Sequence, residues 1–115
     1  MALFSWDKID KEVLSERIGR KVFYGEKATL ARTFLAKGGV IPKHQHESEE
    51  MGCQLEGTAK VVLEGKEVTV HKGEVMQISS NVPHSIVALE DCVMLYVFSP
   101  IRQDWLDGKD AYLRQ

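Results

Sequence analysis

The 115-residue sequence predicts an all-β protein. From Lys21 onward, apolar and β-branched runs of roughly five to eight residues alternate with short polar stretches, a spacing that is typical of strands. Glycines separate several of these runs, at Gly57, Gly65 and Gly73 among others, and they can adopt the positive φ angles that tight turns require. A chain of this length has room for one hydrophobic core, so we expect a single domain.

The pattern divides the domain into three parts. Residues 1–20 have a mixed, weakly helical pattern, and we interpret them as a short strand or helical turn that closes off the fold. Residues 21–99 contain the predicted strands, which are 21–24, 28–36, 44–46, 51–56, 59–63, 66–70, 75–78, 84–88 and 93–99. Residues 100–115 form a polar tail whose Trp105, Tyr112 and Leu113 are expected to dock on the outside of the sheets.

The turns between these strands support the division. Glu64 and Gly65 predict a tight hairpin, and Asn81 tolerates the same left-handed backbone region as glycine. Many short strands joined by such turns leave two architectures open, a β-sandwich or a closed double-sheet barrel of the jelly-roll kind.

Composition and charge argue against several classes of partner. The net charge of -2 and the pI of about 6.1 give no basic surface for nucleic acid or for an anionic membrane. The N-terminus lacks the pattern of a signal peptide, and the longest uncharged stretch, 75–89, is too short to span a bilayer. We therefore expect a cytoplasmic protein in which Cys53 and Cys92 are free thiols.

A candidate metal site is the clearest functional signal. His44, His46 and Glu50 occupy alternating positions, so an extended backbone would turn all three side chains to one face. His84 is a fourth candidate. Three imidazoles and a carboxylate would hold one divalent transition metal (Ni, Mn, Fe, Co or Zn) and leave about two octahedral positions open. The alternative for each histidine is a surface or hydrogen-bonded role, which is the interpretation preferred for His71.

The same residues carry a resemblance to a known family. The stretch 38–57 fits the first cupin motif, G-x5-H-x-H-x3-E-x6-G, at every specified position. The second motif, G-x5-P-x-G-x2-H-x3-N, is matched at Gly73 and His84, with Ser79, Asn81 and Ala88 at its other specified positions. The resemblance covers about residues 30–99 and implies a jelly-roll barrel over 21–99. It also implies that His44, His46, Glu50 and His84 bind the metal at the barrel mouth.

A narrower resemblance comes from the segments NVPHSIVALED and VFSPIRQDWLDGKDAYLR. They look like the small pectin-degradation-type cupins, which convert unsaturated uronate monosaccharides into linear keto forms. The resemblance implies that Tyr96, Phe98 and Arg102 lie in the pocket beside the metal, with Tyr96 and Arg102 as the catalytic candidates. Phe98 and Arg102 keep the residue types of that group. Tyr96 stands where the group has a carboxylate.

Two further polar residues are candidates for the substrate pocket. Gln54 has the strand parity of Glu50 and should point into the barrel, and Gln77 interrupts an otherwise apolar strand. Arg102 presents a planar fork suited to the carboxylate of a small acidic ligand, unless Asp104 pairs with it instead.

Three functions are compatible with these residues. The first is a metal-dependent enzyme that isomerises or ketonises a small acidic or sugar-derived substrate. The second is an iron-dependent dioxygenase, and the third is a non-catalytic cupin that binds a sugar or metabolite through its metal. Strand 93–99 is apolar on both faces, and a small β domain has exposed edges, so we also expect a homodimer.

Overall fold

The computed structural model describes residues 1–115 and contains ten β-strands. Their bounds are β1 Glu12–Ser15, β2 Ile18–Tyr24, β3 Thr29–Leu35, β4 Val40–His44, β5 Glu49–Glu56, β6 Ala59–Leu63, β7 Lys66–Val70, β8 Val75–Ile78, β9 His84–Ala88 and β10 Cys92–Ser99. The remaining elements are a 3-10 turn at Trp6–Lys8, a one-turn helix α1 at Gln103–Leu106 and a 3-10 turn at Ala111–Leu113. The predicted all-β fold is confirmed. No helix has the length and apolar character needed to cross a membrane.

The strands form two antiparallel sheets that face each other across one core. Six strands lie in the order β1-β2-β3-β10-β5-β8, and four lie in the order β4-β9-β6-β7. Eight of the nine predicted strands overlap a strand of the structure over most of their length, and the ninth, 44–46, overlaps β4 only at His44. The strand β1 was not among the nine, and the predicted boundary after residue 20 falls inside β2.

One predicted strand is misplaced. Residues 44–46 do not form a strand, because β4 ends at His44 and His46 lies in the connection to β5. His44 and His46 therefore do not share a face through strand alternation. Instead, the antiparallel pairing of β4 with β9 sets His44 directly opposite His84, and the connection returns His46 to the same place.

The predicted hairpin at Glu64 and Gly65 joins β6 to β7. Both residues have positive φ, 49° and 80°, the combination that lets a two-residue turn match the twist of its strands. Asn81 also adopts the left-handed region, with φ of 61°. The hairpin fixes the register of β6 and β7, and the turn at Asn81 leads the chain from β8 in one sheet to β9, which carries His84, in the other.

Strand β10 lies at the centre of the six-stranded sheet, between β3 and β5. Its side chains alternate, so Met94, Tyr96 and Phe98 are buried in the core. Their neighbours on the strand face outward and are only partly covered, and Met51 and Val75 on nearby strands are exposed. The homodimer expected from the sequence stays a prediction.

Candidate metal centre

Three histidines converge at one end of the space between the sheets. The potential ligand atoms of His44, His46 and His84 all lie within 4.8 Å of one another. The ring centroids of His44 and His84 are 4.2 Å apart, and those of His46 and His84 are 5.1 Å apart. His46 and His84 are buried, and His44 is half-buried.

A backbone carbonyl fixes the orientation of each ring. The Nδ1 atoms of His44, His46 and His84 lie 2.7, 2.8 and 2.8 Å from the carbonyl oxygens of Pro42, Ser48 and Val82. Because a carbonyl oxygen only accepts, each Nδ1 must donate its proton. In the neutral rings Nε2 then keeps a lone pair, as in histidines that bind metals.

Glu50 lies beside these lone pairs. This β5 residue is 4% exposed, and its Oε1 is 3.2 Å from His46 Nε2 and 3.6 Å from His84 Nε2. Burial would raise the pKa of this carboxyl, but a proton on Nε2 of His46 or His84 gives Glu50 a hydrogen bond and a positive neighbour, which outweigh burial and lower the pKa to about 2. A carboxylate next to three imidazole lone pairs is the donor set that divalent transition metals prefer.

The residues therefore fit a metal ion. The Nε2 atom of His84 supports this conclusion, because it is buried and has no hydrogen-bond partner. The compact ligand group consists of the three histidines, and Glu50 as a fourth ligand stays a prediction.

The histidines differ in how readily they take up a proton. Burial, together with the nearby His84, lowers the pKa of His44 to about 4. Burial would also lower the pKa of His84, but the adjacent Glu50 carboxylate more than compensates and raises it. Near neutral pH the site thus contains a neutral His44 and an ionised Glu50.

Tyr96 lies inside the barrel against β5. It pairs in register with Gly52, where a Cβ would come within 2.7 Å of the Tyr96 ring. Only glycine allows this approach, and the space that Gly52 leaves is filled by the tyrosine ring. Burial, reinforced by the Glu50 charge, raises the pKa of Tyr96 well above its ordinary value. The phenol is therefore neutral at physiological pH.

Phe98 and Arg102 connect the histidines to the C-terminal segment. The Phe98 ring packs edge-on against His46, with centroids 5.5 Å apart, and the Arg102 guanidinium lies 4.6 Å from the Phe98 centroid. The Nε and Nη2 atoms of Arg102 donate to the two carboxylate oxygens of Asp104 at 2.9 and 2.8 Å. Nη2 also donates to the Tyr112 hydroxyl. In this structure Asp104 occupies the fork that the sequence suggested for a ligand.

The two glutamines lie away from the histidines. Gln54 points into the barrel as expected, but its amide donates to the carbonyls of Glu56 and Gly57 at the opposite end of the core. The structure places Gln77 on the outer surface, where its exposed side chain donates to Glu49 and Ser79. The parity of β8 explains this position, because its neighbour Ile78 points inward.

The prediction for the tail is wrong in one respect. Trp105, Tyr112 and Leu113 do not dock outside the sheets but close the cavity above the histidines. The Tyr112 ring stacks on His44 with centroids 4.7 Å apart. Arg20 also lines this cavity and was not among the predicted site residues. The sequence signal for Arg20 is its position on β2. It has the same strand parity as Ile18 and Val22, so its side chain points inward with theirs.

The cavity has a volume of about 30 Å³, room for a few water molecules at most. Its walls combine the histidines with apolar and cationic side chains. It is lined by Leu14, Ile18, Arg20, Thr33, Ile41, His44, Glu50, His84, Ile86, Tyr96, Phe98, Arg102, Trp105, Tyr112 and Leu113.

A two-sheet antiparallel barrel with three histidines at its mouth defines the class of protein. The chain belongs to the cupin family, since the family model described as "Cupin domain" matches residues 31–98. Among characterised proteins it is similar to the pectin degradation protein KdgF of Dickeya dadantii. The two are 28% identical over 103 residues, which cover 87% of this chain and 94% of that protein.

Solved structures give the same result. KdgF from Halomonas sp. superposes with a TM-score of 0.83 at 28% identity, covering 90% of this chain and 99% of that one. An RmlC-like cupin from Shewanella frigidimarina has a TM-score of 0.84 at 20% identity, covering 91% and 96%. A Bacillus subtilis oxalate decarboxylase with Mn(II) centres shares the fold with a TM-score of 0.75 at 23% identity, covering 84% and 29%.

Proposed function

We propose that this cupin is a metal-dependent enzyme that converts an unsaturated uronate monosaccharide into its linear keto form. One observation carries the proposal. Two members of the three-histidine cluster, His44 and His84, line a single cavity with Tyr96, Phe98 and Arg102, the positions that the narrower resemblance implies. The similarity to pectin degradation proteins over nearly their whole length supports it.

His44, His46 and His84 would hold the metal, with Glu50 beside them. A bound divalent ion supplies Lewis acidity, which favours the binding and polarisation of substrate oxygens. Ni, Mn, Fe, Co and Zn all accept imidazole and carboxylate donors.

Tyr96 is proposed to move the proton. Its raised pKa keeps the phenol protonated, so it can donate a proton to carbon as an enol becomes a ketone, but it cannot act as a carboxylate base would. Ring opening of the hemiacetal breaks the bond between the anomeric carbon and the ring oxygen, and the proton of the anomeric hydroxyl passes to that oxygen, which becomes the enol. The enol proton released as the ketone forms then replaces the proton that Tyr96 delivers to carbon, so the isomerisation balances.

Phe98 and Arg102 shape the cavity rather than react. Phe98 packs between His46 and Arg102 and keeps water away from that side of the site. Arg102 anchors α1 through Asp104 and the C-terminal turn through Tyr112. A monosaccharide is larger than the cavity, so we propose that the segment 101–113 moves aside to admit it and then closes over the bound substrate.

The proposal is tested with unsaturated uronate monomers, whose conjugated alkene absorbs in the ultraviolet. We expect the metal-loaded protein to abolish this absorbance and the chelator-treated protein to leave it unchanged. Tyr96→Phe should slow the reaction by about 10²–10⁴-fold, the range for loss of a general acid, whereas Tyr24→Phe should not. A metal-loaded wild-type protein that leaves the absorbance unchanged would contradict the proposal.

The small cavity favours a second candidate, the non-catalytic cupin that binds a compact ligand through its metal. In that case the metal-loaded protein would turn over no uronate, yet a small hydroxy or keto acid would raise its melting temperature. Oxygen uptake by the iron-loaded protein would instead favour the dioxygenase.

A further inference from the structure

Four buried side-chain polar atoms have no hydrogen-bond partner: Arg20 Nη1, Arg32 Nε, His84 Nε2 and Trp105 Nε1. Three of these residues line the cavity described above. The lone pair of His84 fits a metal ion. The other two cavity atoms are N–H groups, which can donate but not accept, so a metal cannot satisfy them. Buried polar groups are rarely left unpaired, and each exception calls for an explanation.

Arg20 is held firmly by its remaining nitrogens. The residue is 2% exposed, its Nε donates to Glu12 at 3.0 Å, and its Nη2 donates to Asp110 at 2.6 Å. The guanidinium carbon lies 4.1 Å from the centroid of the Trp105 ring. Nη1 is thus the one group of this guanidinium without a partner. The second unpartnered donor, Trp105 Nε1, belongs to the indole that this guanidinium contacts.

Arg102 is less available than Arg20 for a ligand. Its guanidinium also packs on Trp105, 4.3 Å from the ring centroid, but two of its nitrogens bind the carboxylate of Asp104 in a bidentate pair. A ligand that used the same fork would have to displace Asp104. No such competition exists at Arg20 Nη1 or Trp105 Nε1.

We infer that Arg20 and Trp105 together bind a carboxylate group of the ligand, while the histidines at the other end hold the metal. The inference rests on the proposed function, because it places the carboxylate of a uronate. A carboxylate is an acceptor with two oxygens, so it can take one N–H from each residue.

The charges around the cavity suit this occupant. Arg20 and Arg114 are balanced by Glu12 and Asp110, and Asp104 balances Arg102 in the same way. With a divalent ion bound beside the Glu50 carboxylate, the cavity keeps one positive charge. A single carboxylate on the ligand neutralises it. A neutral sugar of the same shape would leave this charge unbalanced, and its oxygens would accept only weaker hydrogen bonds, without charge assistance, from the two donors.

The test compares D-galacturonate with D-galactose, which lacks the carboxylate, by calorimetric titration of the manganese-loaded full chain. We expect the wild type to bind galacturonate at least about tenfold more tightly than galactose, since charge-assisted hydrogen bonds are strong. Trp105→Phe keeps a ring and removes the N–H, and Arg20→Lys keeps the charge and removes the fork. Each should weaken galacturonate binding about tenfold, weaken galactose binding much less and leave manganese content unchanged.

Matched controls are available in the same chain. Trp6→Phe and Arg32→Lys make the same replacements at residues that do not line the cavity, and both should bind galacturonate as the wild type does. Trp105→Phe also keeps the test decisive if Arg20→Lys fails to fold. Equal affinity of Trp105→Phe and wild type for galacturonate, or no preference of the wild type for galacturonate over galactose, would overturn the inference.

The outcomes separate this inference from the proposed function. Binding of galacturonate through Arg20 and Trp105 without turnover of the unsaturated uronate would contradict the enzyme and support the carboxylate site. Turnover with unchanged galacturonate affinity in Trp105→Phe would support the enzyme and overturn the carboxylate site.

Discussion

The two ends of the cavity differ in the kind of polar atom that lacks a partner. At the histidine end, the three Nε2 lone pairs lie close to one another beside the Glu50 carboxylate, and all of these atoms accept. At the tryptophan end, Arg20 Nη1 and Trp105 Nε1 are both donors. Acceptors that converge without a donor suit a cation, whereas donors without an acceptor suit an anion.

The comparison also shows how each end is supported. The histidines are oriented by backbone carbonyls within two residues of their own positions. Arg20 and Trp105 are instead positioned by contacts between β2 and the C-terminal segment, distant in sequence. The histidine end is therefore built from local contacts, and the tryptophan end depends on the docking of the tail.

The largest expected effect is on metal binding at the histidine end. His84→Ala removes a buried ligand, so we expect metal affinity to fall by more than about 100-fold, since loss of a mere supporting partner already costs 10–100-fold. Metal content measured by mass spectrometry after dialysis checks this. His71→Ala, at an exposed histidine, is the control and should bind metal normally. Equal metal content in the two variants would remove the cation site from the comparison.

At the tryptophan end, the largest effect is on stability. Asp110→Ala leaves buried Arg20 without its 2.6 Å partner. Glu12 still pairs with Arg20, so we expect the free energy of unfolding to fall by about 3 kcal/mol, the lower end of the range for breaking a buried pair. Urea denaturation of the metal-free protein measures the change, with Asp107→Ala on the exposed side of the same segment as control. If both variants unfold at the same urea concentration, Asp110 does not hold the tail.

A pH titration examines the histidine end without metal. His44 has a pKa of about 4 in the folded protein and an ordinary value near 6.5 when unfolded. As pH falls from 6.5 to 4, the unfolded chain takes up this proton first, so stability is lost, by roughly 3 kcal/mol. The raised pKa of His84 changes the stability only above this pH range, and the lowered pKa of Glu50 changes it mainly below the range. His44→Gln should flatten the pH dependence of unfolding, and an unchanged slope would contradict the prediction.

The smallest effect concerns Tyr112, which touches both ends. Its ring stacks on His44, and its hydroxyl accepts a hydrogen bond from Arg102 at 2.9 Å. Tyr112→Phe keeps the stacking and loses the hydrogen bond, so we expect a loss of about 0.5–1.5 kcal/mol in urea denaturation. Metal content should not change. A loss as large as that of Asp110→Ala would mean that the two ends are not separable.

The difference between the two ends also explains what the sequence could predict. The candidate metal ligands follow a motif with fixed spacing, so the sequence predicts that His44, His46 and His84 belong together. Strand alternation does not explain their proximity, because the chain leaves β4 at His44. The glycine turns and alternating runs likewise predict eight of the ten strands.

The tryptophan end could not be predicted from the sequence in the same way. Arg20 lies far from Trp105 and Asp110 in sequence and meets them only because the tail folds back over β2. The two aromatic residues of the polar tail show no regular spacing in the sequence. The pattern therefore cannot distinguish side chains on the outer surface from side chains in a cavity wall. The pairing of Arg102 with Asp104 was foreseen as one of two alternatives, and only the packed structure distinguishes between them.

The most direct measurement is an anomalous-difference map from crystals of the metal-loaded protein, recorded at the absorption edge of the bound ion. We predict one strong peak bonded to the Nε2 atoms of His44, His46 and His84, at roughly the 2.0–2.2 Å typical of first-row metals bound to histidine. A fully loaded crystal with no peak among these three nitrogens, or with its peak at His71, would contradict the assignment of the histidine end as a metal centre.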